Sequence, residues 1–112
     1  MSVDFTRGLE IDVATLDRLR REGADHQLLD IREDWERATC LIAGSIEIAM
    51  GSLPAQADRL DPARPVVVVC HHGARSLRAA AWLRQRGFGQ AVSLKGGIDA
   101  WSRLIDPAVP RY

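Results

Sequence analysis

Only two cysteines occur in these 112 residues, neither sign of charge is in surplus, and no apolar stretch is long enough to cross a membrane. Each shortage removes a class of function. Two thiols, Cys40 and Cys70, without an export signal do not make a disulfide scaffold and point to a reducing compartment. A regulatory disulfide between them stays open on sequence grounds. Fifteen basic against fifteen acidic residues leave no basic field to attract nucleic acid or an anionic membrane. The stretch Met1 to Glu10 carries Asp4, Arg7 and Glu10 and lacks the apolar segment of a secretion signal, while the apolar run Val66 to Cys70 is far short of a bilayer span. The expectation is one cytoplasmic domain over residues 1–112, with no nucleic-acid or membrane partner.

What is present alternates between strand and helix. Glu10 and Ile11 read as the end of a short extended segment. Asp12 can cap a helix that turns Val13, Leu16 and Leu19 to one face and Asp17, Arg18, Arg20 and Arg21 to water, before Gly23 ends it. His26 to Ile31 reads as a strand, Asp34 to Thr39 as one or two helical turns, and Ser45 to Met50 as a short strand. A helix opens at Ser52 or Leu53, with Pro54 in its first turn, and breaks at Asp61, Pro62 and Pro65. Val66 to Val69, four β-branched residues in a row, describes a central strand covered on both faces. The helix from about Ala74 to Arg86 places Leu77, Ala80, Ala81 and Leu83 inward and Arg78, Arg84 and Arg86 outward, and Gly87 stops it. Ala91 to Leu94 is a further strand, Gly96-Gly97 a turn, and Ile98 to Leu104 a last helix with Trp101 on its apolar face. This order predicts an α/β domain built on a mostly parallel sheet.

Chemistry concentrates at residues 70–76, Cys-His-His-Gly-Ala-Arg-Ser. A cysteine between a strand and a helix N-terminus faces unpaired N–H groups and the positive end of the helix dipole, which favour thiolate, the nucleophilic form, over thiol. Gly73 lets the backbone turn with its N–H groups inward, and Arg75 brings a planar charge suited to an oxyanion. A guanidinium at a helix N-terminus opposes the dipole, which argues for a ligand there. Ser76 reads as a helix cap, with donation to the sulfur as the alternative. His71 and His72 read as loop side chains that add positive charge by partial protonation. Neighbouring residues pointing apart do not make a metal site, and no other histidine or cysteine has ligand spacing. Cys40 reads as a partly buried spectator, and Trp35, Trp82 and Trp101 as core or rim packing.

Four ordered motifs resemble the single-domain rhodanese-like sulfurtransferases. These are Leu28-Leu29-Asp30-Ile31-Arg32-Glu33, Ile42-Ala43-Gly44-Ser45-Ile46, the segment Val66 to Ser76, and Leu94-Lys95-Gly96-Gly97-Ile98-Asp99-Ala100-Trp101. The resemblance implies a five-stranded, mostly parallel sheet with helices on both faces. It implies that Cys70 takes sulfane sulfur from thiosulfate or a similar small anionic donor as a persulfide, and passes it to a thiol or cyanide-like acceptor. The backbone of His71, His72, Gly73, Ala74, Arg75 and Ser76 would surround the sulfur, and Arg75 would hold the donor's sulfonate. Asp30 and Arg32 would brace the loop or form an ordinary strand-end ion pair, and neither metal nor organic cofactor is required. Four residues separate Cys70 from Arg75, one fewer than the loop of cysteine phosphatases, which disfavours phosphate. Leu41 and Ala43 depart from the family, where histidine and proline are frequent. The alternative reading is a sulfur-carrier or regulatory module, with a protein donor or acceptor and little turnover of small molecules.

Overall fold

The computed structural model describes residues 3–112, so Met1 and Ser2 of the N-terminal stretch read above lie outside it. Five strands, β1 (Glu10–Ile11), β2 (Gln27–Asp30), β3 (Ile46–Glu47), β4 (Val66–Val69) and β5 (Ala91–Leu94), form one sheet in the order β1-β5-β4-β2-β3. Every neighbouring pair is parallel. The valine run is the central strand, with Val67 opposite Leu28 and Val92, and Val69 opposite Asp30.

Because side chains alternate along a strand, the four valines divide between two cores. Val67 and Val69 face Leu16 and Leu19 of α1 (Val13–Glu22) and Ile98 and Trp101 of α5 (Gly97–Leu104). Val66 and Val68 face Leu53 of α3 (Leu53–Gln56) and Ala79, Ala80 and Leu83 of α4 (Ala74–Gln85). Helices therefore cover both faces. The short α2 (Asp34–Thr39) sits between β2 and β3 in the chain. Helix α1 starts and stops as its sequence dictates: the Asp12 carboxylate accepts from the Thr15 N–H at 2.8 Å, and Gly23 closes it at φ 64°. Among the described residues no helix is long and apolar enough to cross a membrane.

Several expectations shift. The strand expected over Ser45 to Met50 shortens to β3, because after Glu47 the chain keeps bonding through Ile48 N–H to Asp30 of β2 and through Met50 N–H to Ile31 just past it, but bends into a 3-10 turn, Met50–Ser52. The helix after Pro54 relaxes within one turn into a second 3-10 turn, Ala57–Arg59. On α4 the buried face is Ser76, Ala79, Ala80 and Leu83, with Leu77 and Ala81 on its flanks. That rotation points Ser76 at the sulfur of Cys70. Arg84 is half-buried, not outward, and its guanidinium bonds the carbonyls of Ala91, Phe5 and Gly8, tying the N-terminal segment to the sheet. Trp101 is core, and Trp35, 65% exposed, lies at the surface edge-on to Tyr112.

Candidate active site

In an open parallel sheet, ligands gather beyond the carboxyl ends of the strands. β4 delivers Cys70 to that edge, and the chain turns at Gly73 (φ 107°) into α4. Glycine is favoured at 73 on two counts: its φ is one that other residues rarely adopt, and a Cβ would crowd the Gly96 nitrogen at 3.2 Å. The turn brings the Gly73 and Ser76 N–H groups onto the Cys70 sulfur at 3.1 and 3.3 Å. The N–H groups of Ala74 and Arg75, in the first turn of α4, have no carbonyl within the helix to bond and stay available to an anion.

Ser76 is not the helix cap. Gly73 holds that position without a side-chain bond, and the Ser76 hydroxyl lies 3.2 Å from the sulfur. Behind it, Ser93 of β5 stands 2.7 Å from Ser76 Oγ and 3.5 Å from the Gly73 carbonyl. With Cys70 as thiol, the hydroxyls pass donation from Sγ to Ser76, to Ser93 and to the Gly73 carbonyl. With Cys70 as thiolate the first two bonds reverse, so that Ser76 donates to sulfur and Ser93 to Ser76. Both charge states find partners without movement of the backbone.

Arg75, expected to hold the donor's sulfonate, is engaged elsewhere. Its guanidinium forms a two-bond pair with Glu36 of α2, at 2.7 Å to each oxygen. Glu36 is 3% exposed and also accepts from the Tyr112 hydroxyl at 2.6 Å and the Glu33 N–H. The unfavourable helix-end cation read from sequence has found its counter-ion inside the protein. Asp30 and Arg32 form a fully buried pair, at 2.8 Å for the closest contact. Arg32 also donates to the Glu36 and Cys40 carbonyls and to Tyr112, so the pair fastens α2 and Tyr112 to the sheet edge. Cys40 is buried beside it, and both cysteines are free.

His71 and His72, expected to diverge, lie with ring centroids 3.9 Å apart and planes tilted by 31°, and His71 lies flat on Tyr112 at 3.9 Å and 8°. Burial, then the neighbouring His72, hold the His71 pKa below its ordinary value, which works against the positive charge expected of it. His72 is exposed, 3.9 Å from Asp99. Ligand-type atoms of His71, His72 and Asp99 lie within 4.8 Å of one another. Arg103 and Arg111 already bond the Asp99 carboxylate, so a metal ion would enter beside two guanidiniums. Of the two departures from the family pattern, Leu41 is exposed and the Ala43 carbonyl accepts from Arg20.

Glu36, Ser93 and Tyr112 are the site residues that the sequence reading missed. A capping box, Glu33 with Glu36, was the one local signal for the first, and it describes a helix start. Ser93 stood out only as a hydroxyl within an apolar strand.

The Glu36 cluster carries a stability prediction. Arg75 chiefly, aided by Tyr112 and the Glu33 N–H, holds the Glu36 carboxyl from 4.5 down to about 2 against the opposing effect of burial. A carboxyl with a depressed folded pKa contributes stability above its unfolded pKa and loses it as pH falls toward the folded one. Urea unfolding should therefore lose about 3 kcal/mol from this group between pH 5 and pH 2. Glu36→Gln should remove that part of the acid sensitivity; an unchanged acid slope in the variant would refute the assignment.

Comparison with known proteins agrees with this geometry. Residues 12–104 match the family model of the rhodanese-like domain. A sulfurtransferase of Allochromatium vinosum is 37% identical over 100 residues, covering 89% of this chain and 94% of that protein. The thiosulfate sulfurtransferase GlpE of Pseudomonas aeruginosa is 41% identical over 91 residues, covering 81% of this chain and 80% of its own. Among solved structures, a rhodanese-related protein of Thermoplasma volcanium superposes with a TM-score of 0.80 at 30% identity, over 94% of this chain and all of the other. With a central-strand cysteine in a backbone cradle and a match over most of its length, the chain belongs to the rhodanese-like domain family.

Proposed function

We propose that this protein is a sulfurtransferase that carries sulfane sulfur as a persulfide on Cys70. The observation that carries the proposal is the Cys70 sulfur itself: buried at the end of β4, it accepts two backbone N–H groups and faces a reversible hydroxyl chain. Such a thiolate is stabilised by fixed dipoles, which need no reorganisation when it attacks. With thiosulfate as donor, the Cys70 thiolate forms a bond to the outer sulfur, the S–S bond of the donor breaks, and sulfite leaves with the bonding pair. A thiolate or cyanide then attacks the terminal persulfide sulfur and returns Cys70 as thiolate. This two-step, ping-pong chemistry draws on protein groups alone.

The names of the relatives support sulfur as the group transferred, and thiosulfate is the donor named for the Pseudomonas protein. Two free cysteines fit a reducing compartment, the cytoplasm in this reading. Mass spectrometry after incubation with thiosulfate, or with a protein persulfide, tests the proposal. One added sulfur should appear, and peptide mapping should place it on Cys70 and not on Cys40. Absence of the adduct with every donor would sink it. An adduct formed rapidly from a protein persulfide but slowly from small donors would favour the carrier form of the same chemistry.

A further inference from the structure

Four charged side chains bound the buried side of the loop, and they cancel. Asp30 is paired with Arg32, and Glu36 with Arg75. The Arg75 guanidinium, the one arginine within the loop, has both oxygens of a carboxylate on it. Tyr112 locks that carboxylate from the far side while also taking a bond from Arg32. His71 is stacked flat on Tyr112, and burial lowers its pKa. Lys95, Arg103 and Arg111 are exposed at the rim, the latter two already on Asp99. Rim charges in water steer an anion but are screened over about 8 Å at physiological ionic strength. Among the described residues, a donor at the sulfur therefore meets backbone N–H groups and an arginine whose charge is already compensated. Beside Tyr112 the exposed indole of Trp35 packs edge-on at 5.8 Å and offers an apolar surface next to this cluster.

We infer that Glu36, locked by Tyr112, sets the donor class: the site favours organic sulfane donors whose leaving group bears one negative charge over thiosulfate, whose leaving sulfite bears two. The inference rests on the sulfur-transfer reading and narrows its donor. For an organic thiosulfonate, the Cys70 thiolate bonds the terminal sulfur, the S–S bond breaks, and the sulfinate monoanion departs with the electron pair. For an alkyl persulfide RSSH, attack on the outer sulfur releases RS⁻ and leaves Cys70 as the persulfide, its proton passing to the departing thiolate. Backbone N–H groups can stabilise a single departing charge. The second charge of sulfite would need Arg75, and Glu36 holds Arg75.

The test compares thiosulfate with methanethiosulfonate, which differ by one charge, reading thiocyanate formed from cyanide in the wild type, Glu36→Gln and Tyr112→Phe. Glutamine preserves the capping box and a neutral contact to Arg75 but frees its charge. The thiosulfate KM should fall about tenfold in Glu36→Gln, and the methanethiosulfonate KM by clearly less. Tyr112→Phe keeps the ring on His71, loses the hydroxyl's bonds to Glu36 and Arg32, and should move the donor ratio the same way by a smaller factor. It carries the test if Glu36→Gln does not fold. A donor ratio that stays constant, or moves away from thiosulfate, while both donors still charge Cys70 overturns this inference alone. Failure of both donors to charge Cys70 overturns the parent reading and this one together.

Discussion

Cys70→Ala is expected to abolish sulfur transfer, lowering turnover by at least about 10⁴-fold, because a covalent relay has no alternative carrier. The expected loss is chemical rather than structural. Cys70 is 1% exposed and its sulfur occupies two N–H groups and one hydroxyl. Alanine leaves those donors without an acceptor, at a cost of about 1–3 kcal/mol, which the domain should tolerate near room temperature. Cys70→Ser restores an acceptor to the cradle and should recover much of that stability, yet an oxygen there forms no persulfide and the activity should stay lost. Cys40→Ala is the control, since Cys40 is buried against Arg32 and away from the loop's N–H groups. It should keep the adduct on Cys70. Turnover in Cys70→Ser above one-thousandth of the wild type, measured as thiocyanate release, would contradict a persulfide relay.

The features legible in the sequence are those that short-range physics controls. Four consecutive valines could only be a strand covered twice, and β4 is central. Asp12 and Gly23 bound α1 because an N-cap oxygen and a left-handed C-cap act within a few residues. The Cys70 loop was legible for the same reason, since its cradle spans Cys70 to Ser76. The function of Arg75 was not. Its helix-end position opposes the dipole, which was read as pointing to a ligand, whereas the group on it is Glu36, 39 residues earlier. Tyr112 meets Glu36 across 76 residues and the Ser93 hydroxyl meets Ser76 across 17. Contacts of that separation follow from how helices, strands and the C-terminal segment pack around the sheet edge and leave no periodic trace in the sequence. On α4, Ala80 and Leu83 are buried as expected, but Ser76 and Ala79 take the inward places expected of Leu77 and Ala81. Periodicity alone could not know that Ser76, a polar residue, had to face the buried sulfur.

Gly97→Ala should be the most damaging exchange of a residue that carries no chemistry. Gly97 opens α5 at φ 62°, and a Cβ there would lie 2.3 Å from the His71 carbonyl oxygen and 2.5 Å from that of Cys70. The obstructing atoms are backbone, so no side chain can swing aside. The same two carbonyls accept the Ile98 and Asp99 N–H groups at 2.9 and 3.1 Å, which means that α5 is docked directly on the peptide carrying the nucleophile. Even one methyl group must push the Cys70–His71 peptide away from α5, and with it the N–H groups of Gly73 and Ser76 off the sulfur. Strain at a left-handed position plus overpacking should cost about 2–4 kcal/mol. Displacing the cradle by a few tenths of an ångström or more should lower kcat/KM by about 10²-fold. Gly89→Ala is the matched control: nothing lies within 4 Å of its added Cβ and its φ is not left-handed, so both stability and turnover should stay near those of the parent. If Gly97→Ala melts and turns over like Gly89→Ala, then the close seat of α5 on the active loop does not set the position of the sulfur.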